Sequence, residues 1–198
     1  MTDATRLAGL VASRICHDLI SPVGAVGNGL ELMRAAPGDE EALALVEESA
    51  AAATDSLKFL RLAFGARDPA ERVGRAELSA ASSGWFVRRK FGLDWRNAPD
   101  DAPMRLAQPL LLLAIAAAST APRGGRLSVE RATAEPLAAI WRIEADPLRP
   151  SPRLLELLAG DGTEAATPAE AHLLLLRRAA EASGTQLFWD DSGMIGLA

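Results

Sequence analysis

The spacing of apolar residues between positions 43 and 64 constrains the fold of this chain more than any other feature. It alternates between three and four residues along Leu43, Val46, Ala50, Ala53, Leu57, Leu60 and Phe64. A 3-4 repeat draws one apolar stripe along a helix and is typical of helices that pack side by side. We therefore predict a helix that ends near Phe64 and buries this stripe as a seam.

A second amphipathic helix precedes this one. Thr2 or Asp3 can cap it, Pro37-Gly38 predicts a turn after it, and Asp39 can cap the helix that follows. Its looser apolar stripe comprises Ala8, Ala12, Ile15, Leu19, Val23, Val26, Leu30 and Met33. Two helices alone leave much of these stripes in water, so we predict that residues 1–66 form a homodimeric four-helix bundle. The alternative is that the hairpin packs against the rest of its own chain.

Helical and extended segments alternate in the remainder of the chain. Gly65 to Gly74 has the composition of a linker, and Leu78 is expected to begin an extended segment. We predict helices over 80–91, 105–119, 152–159 and 168–183, and strands over 93–95, 126–132, 137–144, 186–189 and 194–197. Helices layered on one mixed sheet suit this order. The prediction is an α+β fold, with a hairpin over 1–66 and an α/β sandwich over 75–198.

Composition argues against several classes of function. The net charge is −5 and there is no extended basic tract, which disfavours nucleic acid and anionic membranes as partners. No apolar run is long enough to span a membrane, and no secretory signal is visible at the start. The single cysteine, Cys16, fits a cytoplasmic protein. With two histidines and one cysteine, a metal site is not expected.

His17 is predicted to lie on the polar side of the first helix. At about 100° of rotation per residue, the apolar stripe falls on the opposite side. The residues within about 60° of the imidazole are Arg6, Ser13, Arg14, Ser21, Gly24 and Asn28. A histidine among short side chains on the wet side of a helix is available to another protein. A lone surface histidine is also common without any function, so both interpretations stay open at this point.

The neighbours of His17 suit phosphoryl transfer. A neutral imidazole is a good nucleophile near pH 7, because its unperturbed pKa is about 6.5. Asp18 can accept a hydrogen bond from one ring nitrogen and leave the other free. Arg14, one turn earlier, can either reach a phosphoryl oxygen or remain a solvated surface charge. Pro22 removes a helical hydrogen bond and is expected to bend the helix.

Two further residues with reactive side chains are assigned structural roles. Cys16 is expected to be a semi-buried apolar residue, since consecutive helical residues diverge by about 100°. His172 begins the apolar run His172-Leu173-Leu174-Leu175-Leu176 and is expected to be structural.

The motif His17-Asp18-Leu19-Ile20-Ser21-Pro22 in a helical hairpin resembles the dimerisation and phosphotransfer domain of sensor histidine kinases. In that domain the histidine of a similar His-Glu-x-x-Thr/Asn-Pro motif is phosphorylated. The wider stretch from Ser13 to Ala25, continuing to Glu31, is similar to ChpT-type histidine phosphotransferases of alphaproteobacteria.

This resemblance implies roles for individual residues. His17 would be the phosphoacceptor. The supporting residues would be Asp18, Arg14 and Ser21. The surface facing the partner protein would include Ser13, Ile20, Gly24 and Asn28.

The second half of the chain is similar in layout to the kinase ATP-binding domain, but it departs from that domain's nucleotide motifs. Ala116 stands where kinases have a magnesium-binding Asn, and Ser119 where they have a Lys. Asp146-Pro147-Leu148 replaces an Asp-x-Gly loop, and Glu170-Ala171-His172 replaces a Gly-x-Gly loop. These losses leave little to hold Mg-ATP.

The resemblance therefore implies a phosphorelay shuttle in cell-cycle signalling. His17 would take a phosphoryl group from the receiver domain of a hybrid histidine kinase and give it to the aspartate of a response regulator. The receiver would supply Mg²⁺, and the shuttle would need no cofactor of its own. Two alternatives stay open, namely an ATP-dependent histidine kinase and a non-catalytic dimeric scaffold for receiver domains.

Overall fold

The chain begins with a helical hairpin. The computed structural model describes residues 3–161 and 166–198, with α1 spanning Asp3–Ala35 and α2 spanning Glu40–Phe64. The Asp39 carboxylate accepts hydrogen bonds from the Glu41 and Ala42 backbone at 2.9 and 3.1 Å, which confirms the predicted cap. Thr2, the other candidate cap of α1, lies outside the described residues. The prediction that Pro22 bends α1 stays untested, but the helix continues through it.

The seam between α1 and α2 is displaced by one residue from the predicted one, so that part of the prediction is wrong. The buried line on α2 runs through Ala42, Ser49 and Ser56, with Val46 and Ala53 half-buried beside it. Leu43 and Leu57 are 43% and 53% exposed. Small side chains let the two helices approach closely, which a search for large apolar residues overlooks. The bulkier residues of the repeat are left on an open face.

Residues 72–161 and 166–198 form a layered helix and sheet structure. The helices are α3 (Arg75–Val87), α4 (Met104–Ser119), α5 (Pro152–Ala159) and α6 (Ala171–Ser183), and a short 3-10 turn, Pro168–Glu170, leads into α6. The strands are β1 (Arg72–Gly74), β2 (Phe91–Asp94), β3 (Asp101–Pro103), β4 (Gly125–Ala134), β5 (Leu137–Glu144), β6 (Leu187–Asp190) and β7 (Met194–Leu197). None of the helices in the described residues has the length and apolar content to cross a bilayer.

Five of the strands build one mixed sheet in the order β2-β4-β5-β7-β6. β2 pairs parallel with β4, and the other neighbours pair antiparallel. The remaining two strands, β1 and β3, form a separate antiparallel pair. This architecture confirms the predicted α+β class and the predicted β4–β5 hairpin.

The segment between the hairpin and the sheet differs from the prediction. The expected linker, Gly65 to Gly74, ends in β1, and the extended segment expected at Leu78 is wrong because Leu78 lies fully buried inside α3. The helix ends at Val87, and Lys90 turns the chain into β2 with a φ of 65°. Strand β3 was not predicted. β1 and β3 have three residues each and depend on pairing with a distant segment, so they carry no periodic signal.

The main core crosses from the hairpin into the sheet region. Phe59, Leu60 and Ala63 at the end of α2 belong to the same buried cluster as Trp85, Phe86 and the α4 leucines. The Phe59 ring stacks on Trp85 with centroids 4.5 Å apart. On the sheet side, the buried Trp141 indole donates to the Leu110 carbonyl at 2.8 Å. The last turns of α2 and the first half of α1 therefore pack on their own chain, as the contact of Arg14 with Ala169 and the buried Leu7 show, whereas the part of the hairpin near its turn does not.

Candidate functional site

His17 projects outward from α1, and its side chain is 83% exposed. His17 lies on the polar side of α1 because the half-buried Ile15 and Leu19, two residues before and after it, face inward. Since the ring makes no contact that shields it, an approaching partner can reach it.

Asp18 is held beside the imidazole. Its Oδ1 lies 3.4 Å from His17 Nδ1, and its side chain is only 6% exposed. The Oδ2 atom accepts a hydrogen bond from Arg14 Nε at 3.1 Å. The separation from His17 is longer than a typical hydrogen bond, as is common before a catalytic complex forms. With Oδ2 engaged, the free oxygen of the carboxylate is the one that faces the imidazole.

Arg14 joins two parts of the structure. Besides Asp18, its guanidinium donates to the Ala169 carbonyl at 2.8 Å, 155 positions along the chain. The side chain is 15% exposed. The arginine is therefore not the solvated charge of the alternative interpretation. It fixes Asp18 relative to the turn before α6, and its prediction as a phosphate ligand stays untested.

The residues predicted to face a partner share the surface of His17. Ser13, Gly24 and Asn28 are exposed, and Ile20 is 73% exposed. Ser21, predicted as a supporting residue, is exposed as well. A Cβ added at Gly24 would meet no atom within 4 Å. The surface around the imidazole is consequently low and open. The prediction for Cys16 is wrong, because this thiol is exposed and lies seven residues before Val23 on the open face of α1.

Arg88 and Arg89, at the end of α3, were missed in the sequence. Together with Asp18, Ser21 and Glu48 they line a shallow groove of about 390 Å³. Arg88 pairs with Asp55 at 3.3 Å, and the Arg89 guanidinium lies 3.5 Å above the Trp85 ring. Partial burial lowers the pKa of Arg89, and the nearby Asp18 opposes that shift. The consecutive basic residues Arg88-Arg89-Lys90 were the available signal.

Comparison with known proteins places this arrangement in a family. Residues 75–194 match the family model described as the histidine phosphotransferase C-terminal domain. The protein phosphotransferase ChpT of Brucella abortus (strain 2308) is 37% identical over 172 residues, which cover 85% of this chain and 81% of that protein. The chain belongs to the histidine phosphotransferase family.

One solved structure agrees with this assignment. A bacterial phosphotransferase superposes with a TM-score of 0.84 and 29% identity, covering 100% of this chain and 97% of the other. Full-length ShkA in complex with AMPPNP gives a TM-score of 0.41 at 16% identity, over 94% of this chain and 44% of that one, a likeness too distant to support an argument.

In this histidine phosphotransferase, the positions predicted to correspond to kinase nucleotide motifs carry other contacts. Ala116 is fully buried, and Ser119 donates its hydroxyl to the Ala116 carbonyl at 2.6 Å. Glu170 accepts from the Thr167 backbone at 2.8 Å and pairs with Arg153 at 3.1 Å. A capped turn thus occupies the place of a glycine loop, and its acidic residue is already engaged.

His172, at the start of α6, is 5% exposed. Neither ring nitrogen makes a hydrogen bond of normal geometry. Burial lowers the pKa of His172 to about 3, the nearby Arg14 lowers it further, and the Ala169 backbone opposes these effects. The ring is therefore neutral at physiological pH. Its burial fits the structural role expected from the sequence. A purely structural role does not explain why its ring nitrogens lack partners.

No metal centre is evident in the residues described. Over 3–161 and 166–198, no three His, Cys, Asp or Glu side chains gather as metal ligands would.

Proposed function

We propose that this histidine phosphotransferase is a phosphorelay shuttle whose phosphoacceptor is His17. It takes a phosphoryl group from the phosphoaspartate of a hybrid-kinase receiver domain and delivers it to the aspartate of a response regulator. The observation that carries the proposal is the outward-facing imidazole beside a nearly covered carboxylate, in a chain of this family.

The transfer requires one free ring nitrogen. When His17 Nδ1 carries the proton and donates to Asp18, the Nε2 lone pair is free to attack phosphorus. The Nε2–P bond forms as the bond between phosphorus and the aspartyl oxygen breaks, and the donor leaves as a carboxylate. The second transfer reverses these steps on another receiver. Positioning and charge neutralisation carry most of such a reaction.

Arg14 acts in this scheme through Asp18. By engaging Oδ2, it keeps Oδ1 directed at the imidazole. Ser21 stands on the same face, where it leaves room for a partner. The receiver brings Mg²⁺ with its own aspartates, so the shuttle contributes no cofactor.

The shuttle is proposed to work without binding ATP. The buried Ala116 offers no ligand for magnesium, and the engaged Glu170 and buried His172 occupy the place of a phosphate loop. Asp146-Pro147-Leu148 lacks the glycine of the Asp-x-Gly loop.

The active form is proposed to be a homodimer. On the open face of the hairpin, Val23 and Leu30 of α1 are 57% and 44% exposed, and Leu43 and Leu57 of α2 are 43% and 53% exposed. Val23 and Leu30 are 7 residues apart, and Leu43 and Leu57 are 14 residues apart. Both spacings are whole heptads, as expected for one face of a helix in a bundle. A second hairpin would cover this face and complete four helices.

Relay between two receiver domains tests the proposal. Labelled phosphoryl groups should pass from one purified receiver to a second only when the protein is present. The His17→Asn variant should abolish this passage, and Asp18→Asn should slow it. Transfer that continues with His17→Asn would contradict the proposal and favour the scaffold.

Titration with Mg-ATP separates the kinase alternative. The proposed shuttle gives no saturable heat with micromolar affinity and no label on His17 from labelled ATP. Micromolar binding accompanied by labelling would establish a kinase instead.

A further inference from the structure

A pocket of about 510 Å³ lies between α1, the ends of α3 and α4, and the turn before α6. Its volume is within the range of small-molecule sites. Its lining includes four basic residues, Arg14, Arg88, Arg89 and Lys90. None of the described residues that line it is acidic. Four cations without an acid in one pocket are unexpected in a chain whose net charge is −5.

Two of these cations form no ion pair among the described residues, although the carboxylate of Asp18 acts on Arg89 from nearby. Arg14 and Arg88 form ion pairs with Asp18 and Asp55. Arg89 donates to the Trp85 carbonyl and lies over its ring, but among the described residues neither it nor Lys90 forms an ion pair. The pocket therefore has a surplus of positive charge, which favours an anion.

Buried polar groups at the wall also lack partners. His172 lines the pocket, and neither of its ring nitrogens makes a hydrogen bond of normal geometry, although the Ala169 backbone lies nearby. The Trp85 indole, 2% exposed, lines it as well, and its Nε1–H has no acceptor. Buried donors without acceptors are costly, so native structures usually satisfy them. Acceptor oxygens in the pocket would meet this requirement.

The rest of the lining is apolar. Phe91, Ile115 and Pro122 contribute to it, and Phe91 and Ile115 are each 5% exposed. A bare inorganic ion would leave this surface in contact with water, whereas an organic body would cover it.

We propose that this pocket binds a small organic phosphate, whose phosphoryl oxygens contact Arg89, Lys90 and His172 and whose apolar part covers Phe91 and Ile115. Arg89 and Lys90 could also bind the acidic face of a partner protein. A small molecule fits better, because the unpartnered nitrogens of His172 and Trp85 belong to side chains that are only 5% and 2% exposed, whereas a folded domain contacts mainly exposed groups.

Calorimetric titration of the full chain with phenyl phosphate tests the proposal. Phenyl phosphate should bind saturably at one site per chain, inorganic phosphate should bind more weakly, and neutral phenol should not bind measurably. The chain has two lysines, which provides a matched pair of variants. Lys90→Gln should weaken phenyl phosphate binding about 10-fold, as loss of one charged contact does. Lys58→Gln, on the exposed face of α2, should leave binding unchanged.

Magnetic resonance of the two histidines provides a second measurement that does not depend on a variant in the pocket. At constant neutral pH, bound phenyl phosphate should shift the ring resonances of His172, which lines the pocket, and leave those of His17 unchanged. No saturable binding at 20 mM, equal losses in the two lysine variants, or an unmoved His172 would overturn the proposal. Slower transfer to a receiver by Lys90→Gln without phenyl phosphate binding would assign the cations to a protein partner instead.

Discussion

The two histidines of this protein show how environment decides what the same side chain can do. His17 is exposed on a helix with a carboxylate beside it, which suits the phosphoacceptor role proposed for it. His172 is buried, unpartnered and close to Arg14, and burial with this neighbouring charge keeps it neutral. Arg14 links both sites, since it touches Asp18 on one side and the Ala169 carbonyl on the other.

Burial of His172 should make stability depend on pH. Its pKa is about 3 in the folded state and about 6.5 when unfolded, so below pH 6.5 the unfolded chain binds more protons. Above pH 6.5 the ring is neutral in both states and does not change the free energy of unfolding. As the pH drops from 6.5 towards 3, the ring lowers the free energy of unfolding by about 1.4 kcal/mol per pH unit. Urea unfolding between pH 7.5 and 4.5 should show a steeper loss of stability in the wild type than in His172→Leu, which keeps the smaller loss from carboxyl groups such as Asp94. His17→Asn serves as the control and should retain the steeper loss.

At the scale of elements, the hairpin is built on close approach of its two helices. Gly29 is buried, and a Cβ added there would lie 2.6 Å from Val46 Cγ2 and 3.3 Å from the Ala42 carbonyl oxygen. The glycine therefore has a packing role. A glycine inside a helix lowers helix stability, which indicates that it has some role but not which one. Ser49 and Ser56 face the same interface from α2.

Enlarging Gly29 should destabilise the hairpin. Gly29→Val should lower the free energy of unfolding by about 1–3 kcal/mol, because the overpacked side chain forces α1 and α2 apart. Gly24→Val is the matched control, since a Cβ there meets nothing within 4 Å. Thermal unfolding of the two variants measures the difference. Equal melting temperatures would show that the helices do not pack as described.

The elements differ in how far the sequence determines them. Strong local signals placed α2, α4 and the β4–β5 hairpin within two residues, because a cap, a long apolar run and β-branched segments act within each element. The seam of α2 was displaced because buried serines look polar in sequence. The contact of Arg14 with Ala169 joins residues 155 positions apart, and no local pattern encodes it.

For the whole molecule, the main consequence of the fold is an unevenly covered hairpin. The end of α2 belongs to the common core, while the middle of both helices presents an open apolar face. The same arrangement leaves His17 outside that face, so a second copy and a receiver domain could bind at the same time.

Dimerisation can be tested by charging this face. Sedimentation equilibrium should give a dimer for the wild type and a monomer for Leu43→Glu/Leu57→Glu, since carboxylates would be buried at the bundle core. Leu155→Glu is the matched control, because Leu155 is 39% exposed on α5, which packs against α6 and β6. A monomeric wild type at tens of micromolar, or a dimer that survives both Glu substitutions, would rule out this assembly.

The most direct test of the shuttle is the chemical form and position of the phosphoryl group it carries. After brief incubation with a phosphorylated receiver domain, peptide mapping should locate the phosphoryl group on His17. The linkage should be stable to base and labile to acid, and the His17→Asn variant should carry none. A base-labile linkage on Asp18, or a protein that remains unlabelled while the receiver loses its phosphate, would contradict the account.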